Sequence, residues 1–93
     1  MKDTFNFYSD AGHGWIAVKH SDLKELKIAD KISSYSYQRG LSVYLEEDCD
    51  MQVFFEAFMK KFRTRPKLVV KSTDGRSPIR SYDRYVHGTQ SMI

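Results

Sequence analysis

The sequence predicts an α+β domain in the order β-β-α-β-β-α-β, with a mainly antiparallel sheet and two helices packed on one face. Three observations predict it. Short runs of alternating apolar residues are separated by glycine turn signals, which marks strands and hairpins. One later segment carries its apolar residues at helical spacing instead. Ninety-three residues without a repeat, linker or low-complexity stretch leave room for a single core, so the domain spans residues 1–93.

Thr4 to Ser9, with Phe5 and Phe7 on one side, reads as the first strand. Asp10-Ala11-Gly12-His13-Gly14 is a turn, and Trp15 to Val18 the returning strand. Ser21 and Asp22 open a short helix, the serine as cap and the carboxylate at the positive helix end. It carries Leu23 and Leu26 and ends near Lys27, with Ile28 beneath it. Ile32 to Tyr37 and Leu41 to Glu46 form the next hairpin around Gln38-Arg39-Gly40. With Arg39 and Gly40 as loop residues, Tyr37 faces Ser42 and Tyr35 faces Tyr44. Ile32, Leu41, Val43 and Leu45 then point to the core, and Tyr35, Tyr37 and Tyr44 point away from it.

The second helix opens at Asp48 to Asp50 and runs to about Arg63. Met51, Phe54, Phe55, Phe58 and Phe62 fall within an arc of roughly 100°, one buried stripe. Pro66 closes it, and Lys67 to Ser72 is a strand around Leu68-Val69-Val70. Ser77 to Val86 contains Pro78 and reads as an edge strand or ordered coil, with residues 86–93 as a flexible tail.

Composition narrows the function classes. Charged residues make up 29% of the chain, and no apolar run is long enough to span a bilayer. No apolar leader precedes the domain, so the expectation is a cytoplasmic protein. A single cysteine, Cys49, excludes an intramolecular disulfide and every multi-cysteine zinc pattern. Charge is distributed unevenly: residues 1–59 hold six basic against ten acidic residues, a balance of −4, while residues 60–93 hold nine against two, a balance of +7. Such asymmetry bears on partners and encounter rates.

No motif for catalysis, cofactor or metal is present. The acidic run Glu46-Glu47-Asp48-Cys49-Asp50 lacks the spacing of a calcium loop and is read as helix-start carboxylates capping free amides. His13 sits on a glycine turn with no orienting carboxylate paired to it at sequence level, so a turn histidine is the expectation. Cys49 has the helix-start position of a reactive thiol, but surrounding carboxylates oppose a thiolate, and a buried structural cysteine is expected.

Two features suit a binding surface. Arg76, Arg80 and Arg84 recur every four residues in the basic C-terminal third, among tyrosines. Tyr35, Tyr37 and Tyr44, with Arg39 at the turn, could anchor a protein interface or stack bases; the opposing reading is that another segment of the chain covers them.

The segments Phe7-Tyr8-Ser9-Asp10-Ala11-Gly12-His13-Gly14-Trp15, Lys31-Ile32-Ser33-Ser34-Tyr35-Ser36-Tyr37 with Arg39-Gly40, Tyr44-Leu45-Glu46-Glu47-Asp48-Cys49-Asp50 and Ser77-Pro78-Ile79-Arg80-Ser81-Tyr82 resemble those of small uncharacterised proteins of bacteriophages, plasmids and other bacterial mobile elements. The resemblance spans most of the chain. It implies a non-enzymatic interaction protein that binds a bacterial protein or nucleoprotein complex, as anti-CRISPR and anti-restriction proteins do. The interaction residues would be Tyr35, Tyr37, Arg39, Tyr44, Arg76, Arg80 and Arg84. The alternative is a small nucleic-acid-binding protein using the basic patch and the strand-borne tyrosines.

Overall fold

The computed structural model describes residues 1–87, so most of the expected tail lies outside the described residues. It is an α+β domain built on one six-stranded, mostly antiparallel sheet with two helices. Strands β1 (Thr4–Ser9) and β2 (Gly14–Lys19) form the first hairpin. Helix α1 (His20–Glu25) and a 3-10 turn (Ala29–Lys31) lead to β3 (Tyr37–Arg39) and β4 (Ser42–Glu46). Helix α2 (Asp50–Phe62) precedes β5 (Lys67–Ser72), a second 3-10 turn (Pro78–Ser81) and a two-residue strand, β6 (Asp83–Arg84). The strand order is β5-β1-β2-β4-β3-β6. Only the β1–β5 pair is parallel, because α2 carries the chain back across the sheet.

Alternation along the strands builds the core. Phe5, Ile16, Val18, Val43 and Leu45 face the helices and meet Leu23 of α1 and Phe54 and Phe58 of α2, all nearly inaccessible to solvent. Phe5 packs edge-on against both α2 rings, at centroid distances of 5.1 Å and 6.0 Å. Met51, Phe55 and Phe62, expected within the same buried stripe, pack against it only partly buried.

Three local expectations are corrected. The second hairpin turns at Gly40-Leu41, so Arg39 pairs with Ser42 and Tyr37 with Tyr44. Gly40, at φ +58°, takes the first central position of the turn, which frees Leu41 to stand 67% exposed instead of in the core. Ile32 is buried, yet residues 33–36 are a loop and not strand, because the Asp50 carboxylate takes their polar groups. It accepts from the Ser33 N–H at 3.1 Å and from the Ser33 and Ser36 hydroxyls at 2.7 Å and 2.5 Å. Finally, α1 is secured not by Ser21 but by Asp22, whose carboxylate accepts from the Lys19 N–H at 3.0 Å.

Candidate site: an aromatic and charged cleft on the sheet's second face

The sheet face opposite the helices carries Tyr8, Trp15, Tyr44 and Tyr37, and the chain between Ser77 and Tyr82 lies across it. This segment acts as a strap. Ser77 caps its 3-10 turn by accepting from the Ile79 N–H at 3.2 Å, and Ile79 is buried to 3% exposure. The Tyr82 ring lies 5.2 Å from that of Tyr44, and the Arg39 guanidinium sits 5.0 Å above Tyr82. Burial, with Tyr82 as a second cause, raises the Tyr44 phenol above its ordinary value. After β6 pairs with β3, Tyr85 returns to the helix side, where its hydroxyl donates to the Ala29 carbonyl. The C-terminal segment thus wraps the β3 edge and joins both faces.

One carboxylate clamps the strap to the first hairpin. Asp10 accepts from its own turn, at the Gly12 and His13 N–H groups, and from the strap, at the Ser77 N–H and at Nε and Nη2 of Arg80. The Arg80 bonds of 2.7 Å and 2.8 Å are the bidentate fork that carboxylates favour. Arg80 foremost, with the backbone donors, holds the Asp10 carboxyl far below the usual carboxylate range.

Beside this clamp a cleft of about 560 Å³ is lined by His13, Trp15, Tyr35, Tyr37, Glu46, Asp48, Cys49, Arg80 and Arg84. His13 reaches Glu46, 33 residues along the chain, with Nδ1 3.3 Å from Oε1. The other oxygen of Glu46 accepts the Asp48 N–H at 2.8 Å. Gly14 makes the approach possible: a Cβ there would collide with the Phe7 ring, so only glycine lets the turn sit this close to β1. Trp15 lies beneath at 2% exposure, its ring centroid 6.1 Å from that of His13.

The residues expected to form an interaction surface separate into two groups. Tyr35, at 66% exposure, stands at the cleft, and Arg84 lies 5.1 Å over the Tyr37 ring while donating to the Ser34 carbonyl. Arg80 and Tyr44 are instead committed within the chain, to Asp10 and Tyr82. Arg39 rests on Tyr82, and Arg76 is exposed, away from the cleft lining. Arg80 and Arg84 both line the cleft, but Arg76 lies away from it and Arg80 is neutralised by Asp10, so the four-residue spacing does not produce one patch of free charge.

The acidic run is also resolved. Its Asp50 carboxylate binds the loop of residues 33–36 and its Glu46 carboxylate the Asp48 N–H, while α2 begins after Cys49 without a side-chain cap. Cys49 is exposed, not buried. His13 has the carboxylate contact that acid–base work would need, but its side chain is 47% exposed at an open rim, which gives a proton-transfer step little shelter from water. Sequence reasoning missed Asp10, Glu46 and Asp48 as partners; the Asp-x-Gly-His turn was the one signal that Asp10 would accept local amides.

No protein-family model, curated protein or solved structure matches this chain. Among the described residues no helix is long and apolar enough to cross a membrane.

Proposed function

We propose that the chain is a non-enzymatic binding protein of a phage or other mobile element, acting in the bacterial cytoplasm. It docks through the cleft face on a bacterial protein complex and inhibits host defence of the CRISPR or restriction kind. The observation that carries this reading is the composition of the cleft. Eight of its nine lining residues, all but Arg84, come from the four segments on which the resemblance to mobile-element proteins rests. Core packing accounts for Trp15 and Tyr44, but not for Tyr35 standing 66% exposed beside an arginine stacked on Tyr37. Rings and guanidinium groups already held in place lose little freedom when covered, and tyrosine and arginine are enriched among interface anchors.

Sheet order weighs against the nucleic-acid alternative. The exposed cations Lys67 and Lys71 lie on β5, four strand steps from β3 and Tyr37, or about 19 Å at ordinary strand spacing. Of the two arginines that line the cleft, Arg80 is neutralised by Asp10, and Arg84 lies over Tyr37 while donating to the Ser34 carbonyl. Beside the cleft's rings stand Arg84 and the neutralised Arg80, while the lysines that could follow a phosphate backbone lie across the sheet.

The test compares wild-type protein with a Tyr35→Ala/Arg84→Glu variant shown by Trp15 emission to be folded. A bacterial complex captured by the wild type should bind the variant at least about 10-fold more weakly, and its nuclease activity should fall only with the wild type. Equal binding by both would remove the cleft from the reading. Binding to a bare oligonucleotide that falls steeply with salt would favour the alternative.

A further inference from the structure

We propose that His13, Glu46 and Asp48 form a binding site for one divalent transition-metal ion of the zinc type. One potential ligand atom from each residue lies within 4.8 Å of the other two, the only such triad of histidine, cysteine or carboxylate side chains among the described residues. Glu46 and Asp48 lie two residues apart in the acidic run after β4, and the β1–β2 turn brings His13 to them, so tertiary folding completes the set.

The geometry suits a tetrahedral ion. Zinc bonds to imidazole nitrogen and carboxylate oxygen of about 2.0–2.2 Å imply ligand–ligand edges of about 3.3–3.5 Å. His13 Nδ1 and Glu46 Oε1 already stand 3.3 Å apart. Asp48 closes the third corner by rotation of an exposed side chain, while its backbone N–H holds the second Glu46 oxygen and so fixes the direction of the first. One imidazole with two carboxylates selects zinc-like ions over calcium or magnesium, which prefer all-oxygen sets.

A second observation concerns the wall of the cleft. Trp15 in its wall is 2% exposed, yet its indole N–H has no hydrogen-bond partner among the described residues. Buried indole donors ordinarily find an acceptor. Arg84, which lines the same cleft, favours an anionic ligand on the ion's open fourth position.

The test uses the whole chain, stripped with chelator and titrated calorimetrically with zinc chloride alone. The expected result is one equivalent bound with Kd below about 100 μM, weakened at least about 10-fold by His13→Ala and by Asp48→Ala. Both residues are exposed, so the fold should persist; unchanged Trp15 emission in the variants checks this. Cys49→Ser and His87→Ala should bind as the wild type does. Weaker wild-type binding, or an affinity that either ligand variant leaves intact, would overturn the site. Because no partner is present, this outcome is independent of the docking reading.

Discussion

Arg80 and Asp10, 70 residues apart in the chain, share a two-pronged ion pair in which the carboxylate side chain is only 1% exposed. The pair ties the first hairpin turn to the strap over Trp15, and the same arginine lies 5.7 Å over the Trp15 ring. With Tyr82 on Tyr44 and the buried Ile79, the pair holds the strap over the sheet's second face.

Removing Arg80 leaves a nearly inaccessible carboxylate without its cation, and removing Asp10 leaves a partly exposed guanidinium without its anion. Asp10→Ala and Arg80→Ala should each lower the urea midpoint, and the double variant should lose less than the sum of the two. Emission of the single tryptophan should move to longer wavelength as the strap lifts. Strict additivity would mean that the pair contributes only two independent contacts.

The meeting of Phe54 and Phe58 with Phe5 carries the core. Phe54→Ala should cost about 3–5 kcal/mol, a large share of the stability of a domain this small. Phe54→Leu should cost markedly less, because it leaves a smaller cavity. Denaturant unfolding of both variants measures the difference.

Ser36 is fully buried, donates to Asp50 and accepts the Glu46 N–H at 3.0 Å, joining the loop, α2 and the end of β4. Ser36→Ala should cost about 1–3 kcal/mol, because it strands the Glu46 amide. Exchange of that amide, followed by NMR, should quicken in the variant.

His20 is 8% exposed and stacked on Tyr85. Burial first, and the charge of Lys24 second, hold its imidazole below the ordinary value of 6.5. The unfolded chain therefore takes up a proton more readily than the folded one. Stability from this group is whole above about 6.5 and is lost as pH falls through the lower folded value. His20→Phe keeps a ring against Tyr85 without titrating. Between about pH 8 and pH 5 its unfolding free energy should decline less than that of the wild type.

By itself the sequence determined the class, the helix stripe and most strands. These rest on periodicity, and a Phe54–Phe58 stripe or the alternation of Phe5 and Phe7 can bury only one way. Gly40 announced a turn, but its place within the turn set the register, and with it the exposure of Leu41. Only the tertiary structure decided that Asp50 would hold Ser33 and Ser36, that Asp10 would hold Arg80, and that His13 would meet Glu46. Polar side chains have no period, and their partners are chosen by which loops the strand order brings together. The same physics divided the expected surface: Tyr44 was drawn under Tyr82 and Arg80 tied to Asp10 in the cleft wall, while Tyr35 was left exposed at the cleft beside Arg84.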